Sequence, residues 1–440
     1  MYKRQDLGGG SPGLDTESTD IFQEGLRLPP SRYNLKCDWN GGAFERLIAA
    51  NVRVPDLTIG DFNAQHAANA IGAARVQQLC AKYGAELIAE VMRNFIDYSE
   101  RRMRAAIAKV PNGVYFGEDA IDDDGVSDVP LVIKVKVDVK DEDIYVDFTG
   151  TCAQVMRNVN CPLSSTHAAT LSCIKSVVTT ASIPFNEGIK RPIHITVPEG
   201  SLLNPLPPAP VRARMEAGYR VFDALMKALA QAVPRQVIAP GFDTTTVVCF
   251  SCLASTGFKV NIDIFGGGFG AGPTADGCDA VDLPLSNCSN NPVEVLDAEC
   301  DFFRVIGSRL EPDSFGHGEF RGGAGFSRRY EVLADNVKLA IYSDRFRIRP
   351  SGLFGGTEAM PGRCTIQRAG ERIEMASKSS YALRKGDIVE MFVGGGGGYG
   401  SPARRAPNLI ERDLSEGLLT PEAAGRFYGV GGAAARSAGA

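Results

Sequence analysis

Histidine is scarce in this 440-residue chain. There are four, His66, His167, His194 and His317, and none lies within chelating distance of another in sequence. Cys249-Phe-Ser-Cys252 has the spacing of half a zinc site. It falls in an apolar strand pattern, where residues three apart face opposite sides. Cys278, Cys288 and Cys300 supply no second pair at finger spacing. Small buried cysteines are the expectation. The eleven cysteines form no framework, which excludes a disulfide scaffold and fits a reduced, cytoplasmic setting. No run of eighteen apolar residues occurs and the N-terminus has no signal-peptide pattern, so neither a membrane span nor secretion is expected. Lys and Arg form no long run and the formal charge is −5, which argues against nucleic acid as a partner. No glycine is followed by Lys-Ser or Lys-Thr, so there is no P-loop. Gly266-x-Gly-x-x would need glycine at 271, where Ala271 stands.

What the chain has in quantity is glycine, 49 residues in all. Dense segments read Gly266-Gly-Gly-Phe-Gly-Ala-Gly272, Arg321-Gly-Gly-Ala-Gly325 and Gly394-Gly-Gly-Gly-Gly-Tyr-Gly400. Glycine is entropically costly, so such clusters belong where backbone turns with positive φ or approaches something closely. Three of them imply a site assembled from loops, with Gly266, Gly267 and Gly268 as candidate substrate contacts.

Periodicity supplies the elements. Gly60-Asp61 reads as the start of an alanine-rich helix ending near Tyr83-Gly84. Leu87, Val91, Phe95 and Tyr98, spaced by four, four and three, predict one buried face on a second helix. For the alanine helix around Ala64–Ala74, burial in the chain's own core is the default expectation. Asp122-Asp-Asp-Gly125 lacks the ligand pattern of a calcium loop and predicts a solvated turn. Ile133, Val135, Val137 and Val139 alternate with Lys134, Lys136, Asp138 and Lys140, a half-exposed strand whose hairpin partner runs from Ile144 to Phe148. Helices are predicted over Leu163–Thr180 and Arg214–Ala232, short strands between glycine turns over 243–400, and a small helical tail over 406–430. The result is an α+β fold, with mixed sheets flanked by helices and glycine loops forming a site. It divides into a helical region 1–110, a mixed core 111–400 and a tail 401–440. Where the hairpin ends, Asp147, Thr149, Thr151 and Asn160 spill acceptors and hydroxyls into a loop, a common place for ligand contacts. The alternative is that Asx and ST turns satisfy their own backbone.

The ordered series Gly60-Asp61, Ala64-Gln65, Pro111-Asn-Gly113, Glu118-Asp119, Asp122–Gly125, Asp147-Phe-Thr-Gly-Thr151, Asn204-Pro205 and Pro208-Ala-Pro-Val211 resembles the hydantoinase B / 5-oxoprolinase family. Gly266–Gly268, Asn291-Pro-Val-Glu294, Arg321-Gly-Gly323, Gly394–Gly400, Glu422-Ala-Ala424 and Tyr428-Gly-Val430 continue it over nearly the whole chain. The resemblance implies the hydrolytic subunit of an ATP-dependent cyclic-amide hydrolase in a cytoplasmic hetero-oligomer. A separate hydantoinase A-like partner would bind ATP and phosphorylate the lactam carbonyl oxygen. Ketone carboxylases of the acetone and acetophenone type are the alternative within enzymes, and a non-catalytic docking subunit the alternative outside them. Family members carry paired histidines before an Asp-x-Gly-Gly. Here Asp6-Leu-Gly-Gly9 matches, with Lys3 and Arg4 in the histidine positions. The implied divalent metal, zinc or manganese, would then be held mostly by residues upstream of a truncated start, leaving this chain inactive alone.

Overall fold

The computed structural model describes residues 16–180, 182–254, 257–281, 284–286 and 290–430; Lys3, Arg4, Asp6–Gly9 and Cys288 lie outside them. Three helices come first, α1 (Ala43–Ala50), α2 (Pro55–Tyr83) and α3 (Ala85–Ile107). Strands β1 (Gly113–Ile121), β2 (Leu131–Lys140) and β3 (Asp143–Asp147) follow as an antiparallel meander. The alternation in β2 is realised, with Ile133, Val135, Val137 and Val139 buried. After α4 (Leu163–Val178), β4 (Ile193–Thr196) joins β3 in parallel. Helix α5 (Met215–Leu229) is buried along nearly its whole length. It crosses β1 at Gly117, where a Cβ would lie 2.0 Å from the Ala224 carbonyl oxygen.

The second half pairs two sheets. One has the order β12 (Lys378–Leu383), β9 (Val337–Tyr342), β5 (Thr246–Ala254), β6 (Gly257–Phe265). The other runs β11 (Glu371–Met375), β10 (Arg363–Arg368), β13 (Ile388–Val393), β8 (Phe326–Val332), β7 (Phe303–Leu310). A short helix, α6 (Val293–Glu299), precedes β7. Strand β5 faces two cores, as period-two geometry demands. Val248, Phe250 and Cys252 join the core between the two sheets, while Cys249 joins the core built on α4, α5 and the first sheet. Both cysteines are buried, as expected, and neither is in a disulfide. The helical tail, α7 (Pro407–Ser415) and α8 (Pro421–Tyr428), closes a third small core around Phe315 and Leu419. The architecture is α+β.

The glycine segments pack on one another. Gly268 N donates to Gly394 O, Gly323 N to Phe269 O, Gly396 N to Gly323 O and Ala271 N to Gly397 O, all within 2.8–3.0 Å. A Cβ at Gly268 would stand 1.9 Å from the Gly323 carbonyl oxygen, and one at Gly322 1.8 Å from that of Gly396. The close approach for which glycine was required is therefore met by other backbone inside the protein.

Four expectations are corrected. Helix α2 begins at Pro55, which suits the first helical position, so Gly60 lies inside it. The predicted buried face of α3 is open, with Leu87 49%, Val91 53% and Phe95 50% exposed, and burial is confined to Ser99, Met103 and Ile107 near its end. The alanine stretch of α2 is exposed as well. Periodicity reports that a face wants cover, not that its own chain supplies it. Asp122 is buried, not solvated, because three backbone N–H groups, of Phe346, Arg347 and Ile348, converge on its carboxylate at 2.6, 3.0 and 2.7 Å.

Candidate active site

The residues singled out from sequence do not form one group. Asp147 ends β3, and its Oδ1 accepts from Thr149 N at 2.9 Å and Thr149 Oγ1 at 2.6 Å, a closed Asx turn. Thr151 Oγ1 bridges the backbone N and O of Lys134 at 3.2 Å each. Asn160 is fully buried and sits apart. Its Oδ1 accepts from Val155 N, and its Nδ2 donates to the carbonyls of Val155, Arg157 and Pro210, tying that loop to the proline-rich connector. Gly266 N donates to Asn290 Oδ1 at 2.9 Å, while Gly267 and Gly268 lie in the packed glycine layer.

A different constellation holds most of the buried charge. On α5, Glu216, Arg220 and Asp223 recur at i, i+4 and i+7, one helical face, and each is 1% exposed or less. That face meets Asp119 and Asp122 at the end of β1, Asp243 before β5, Asp344 and Arg345 after β9, and Lys378 at the start of β12. Arg220 Nη1 donates to Asp223 at 2.8 Å and its Nη2 to the Asp243 carbonyl and Thr244 Oγ1 at 2.9 Å. Arg345 reaches Asp223 at 2.7 Å and Asp119 at 3.2 Å. Lys378 Nζ lies 3.2 Å from Asp344, whose Oδ1 also accepts from Asp122 N. Asp243 and Arg345 both take left-handed backbone, φ 42° and 59°, strain of a kind that concentrates at functional sites.

Six buried carboxyls face three buried cations here, with the half-buried Lys227 reaching Asp119 at 3.3 Å, so burial cannot hold every acid ionised. Asp344 stays below the ordinary carboxylate range. Burial opposes this, but Lys378 and Arg220 outweigh it. Lys378 is raised above an ordinary lysine, as Asp344, Asp123 and Glu216 overcome its burial. Burial and then the Asp223 charge push Asp243 well up. Burial, and then the Asp344 charge, push Glu216 to about 8, so at neutral pH it carries a proton. Glu216 Oε2 and the Tyr342 hydroxyl are buried without a hydrogen-bond partner among the described residues. Arg220 Nε and Asp344 Oδ2 lie 3.4 Å apart, an ion-pair distance without hydrogen-bond alignment. Native interiors leave few such groups orphaned, and here they gather around one proton-bearing acid. Sequence reading missed this cluster, although charged residues repeating on one face of an otherwise apolar helix were a usable signal.

The chain's early residues run to the same place. Thr16 Oγ1 lies 3.3 Å from Ser380 Oγ, two residues from Lys378. The Glu24 carboxylate accepts from Val211 N and Arg212 N at 2.7–3.0 Å across both oxygens. Among the described residues no group of three His, Cys, Asp or Glu could hold a metal ion. They do not fit the implied zinc or manganese, and no step below passes through a metal. A separate cavity of about 540 Å³ opens between α8 and the body, lined by Asp313, His317, Arg349 and Phe427. His317 stacks on Phe427 with ring centroids 3.7 Å apart, and burial lowers its imidazole to about 4. It is a neutral, packed histidine.

The model of the hydantoinase B/oxoprolinase family matches residues 2–402. The chain belongs to that family. It is 34% identical over 440 residues to the B-type component of a putative D-/L-hydantoinase of Pseudomonas sp. (strain NS671), across 97% of this chain and 74% of that relative. The crystal structure of an ATP-dependent caprolactamase from Pseudomonas jessenii superposes with a TM-score of 0.87 at 25% identity, over 98% of this chain and 78% of that one. A nucleotide-free acetone carboxylase gives a TM-score of 0.85 at 16% identity over 98% of this chain and 66% of that one, a likeness of fold alone. This hydantoinase B-type chain has no helix, among its described residues, long and apolar enough to cross a membrane.

Proposed function

We propose that this chain is the hydrolytic subunit of an ATP-dependent cyclic-amide hydrolase and works with a separate ATP-binding, hydantoinase A-like subunit. Family membership and the hydantoinase and caprolactamase relatives support the substrate class. The observation that carries the site is Glu216, a buried acid protonated at neutral pH, with an unpartnered oxygen beside Tyr342, Asp344 and Lys378. A lactam carbonyl is a poor electrophile. Phosphorylating its oxygen on the partner lowers the barrier to attack by water. Once water has added, the C–N bond breaks and nitrogen must gain a proton to leave as an amine, which Glu216 supplies as a general acid; the acyl phosphate left behind is hydrolysed by a second water to carboxylate and inorganic phosphate. Burial and the Asp344 charge keep the Glu216 proton in place against the opposing pull of Arg220 and Lys378.

The test is ATP turnover by the protein purified with its ATP-binding partner, offered hydantoins, 5-oxoproline and larger lactams, then ketones with and without bicarbonate. Turnover driven by a lactam or hydantoin alone is expected. Turnover confined to a ketone plus bicarbonate would replace this reading with a carboxylase.

A further inference from the structure

From Ala67 to Phe95 the α2–α3 pair stands away from every core. Between Ala67 and Phe95 every side chain but those of Cys80 and Ile88 is exposed. Yet the hairpin is not a polar projection. On α3, Leu87, Val91, Phe95 and Tyr98 form a stripe with Met92 beside it, each 37–53% exposed, and α2 adds Ile71, Leu79 and Tyr83 at 46–62%. Eight half-exposed large side chains leave on the order of 700 Å² of apolar surface, close to the ~800 Å² per partner of a standard interface. Monomeric soluble proteins seldom leave so many large apolar side chains uncovered on neighbouring elements, and helices gain most of their stability from packing.

The charges beside the stripe say what covers it. Glu90 and Arg101 are both exposed and, eleven residues apart, fall within about 20° of each other on the helix circumference at 3.6 residues per turn. They therefore lie on the same flank of the stripe, one on each side of Phe95. In an antiparallel pair related by a two-fold axis, that flank meets its own copy reversed. Glu90 of one copy then faces Arg101 of the other, twice, with the Phe95 side chains near the axis. A parallel pair, related by a two-fold along the helices, would set this flank against the opposite one and would not bring Glu90 to Arg101. The α3 helix is also neutral overall, with four acidic residues (Glu86, Glu90, Asp97, Glu100) and four basic ones (Arg93, Arg101, Arg102, Arg104), so two copies meet without net repulsion. We infer that the α3 stripe is a self-association surface at which a second copy of this chain docks antiparallel, with reciprocal Glu90–Arg101 pairs.

Sedimentation equilibrium on the whole chain at micromolar concentrations tests this. A dimer is expected, and Phe95→Glu should make it monomeric with an unchanged circular-dichroism spectrum, since the side chain is 50% exposed and outside every core. Glu90→Arg and Arg101→Glu should each raise the dimer dissociation constant by about tenfold, because two attractive rim pairs become two repulsive ones. The double reversal should return it to within about threefold of the starting value. A chain that stays monomeric overturns the inference, as does a dimer indifferent to the single reversals or not rescued by the double. Protection of the stripe only when the ATP-binding subunit is added would overturn it too, by assigning the surface to that partner.

Discussion

Glu216→Gln is expected to yield a protein that is harder to unfold and no longer turns over substrate. An ordinary glutamate titrates near 4.5, and burial beside Asp344 moves this one to about 8. Below pH 4.5 the folded and unfolded states both hold the proton, and the site costs nothing through ionisation. Between 4.5 and 8 the unfolded chain releases the proton while the folded chain keeps it, so stability falls as pH rises, then levels off above 8. By pH 7 the loss amounts to about 3 kcal/mol. Glutamine keeps the shape and neutrality of the protonated acid without that cost. Chemical denaturation of wild type and Glu216→Gln should therefore agree near pH 4.5 and diverge steadily toward pH 8. Activity should move the other way. Loss of a positioned general acid costs ~10²–10⁴-fold in rate, and wild-type turnover should fall as pH passes 8 and the proton is lost. A fully active glutamine variant would make Glu216 a packing residue, and a pH-independent stability difference would remove the premise that it is protonated.

Gly270→Ala should abolish folding, while Gly72→Ala should improve it. One methyl group is added in each. At Gly270 the new Cβ would lie 1.6 Å from the Ala239 carbonyl oxygen. That neighbour is backbone, held in turn by Ala239 N donating to Ala271 O at 2.8 Å, so no side chain can swing aside. The variant exceeds the ~4–5 kcal/mol at which single substitutions become exceptional, and insoluble protein is the expected result. At Gly72, inside α2, a Cβ meets nothing within 4 Å, and alanine gains about 1 kcal/mol of helix propensity. Soluble Gly270→Ala with a near-native melting transition would refute the packed glycine layer.

The elements whose reasons are local were legible in the sequence. Alternation found β2 and β3, helical spacing found α4 and α5, and period two put Cys249 and Cys252 on opposite faces. What escaped was set by partners far along the chain. Asp122 read as a turn residue because the N–H groups that bury it belong to residues 346–348. Asp119 meets Arg345 across 226 positions, and no window of sequence registers that pair. Glycine density announced close approach without saying to what, and the α3 stripe announced burial without saying by whom. The family resemblance was legible because its motifs are strung in order, although the residues that gather at Glu216 were only partly among them.

The stretch from Gly394 to Gly398 carries no regular secondary structure, yet its amides are among the best shielded in the molecule. Gly396, Gly397 and Gly398 donate to the carbonyls of Gly323, Pro240 and Thr357 at 2.9–3.0 Å, three separate segments of the chain. No single segment can lift away without breaking bonds to the others, so these hydrogens trade with solvent only when the fold opens as a whole. In this protein a loop by dihedral angle is the slow clock of hydrogen exchange, and a regular helix such as α2 is the fast one.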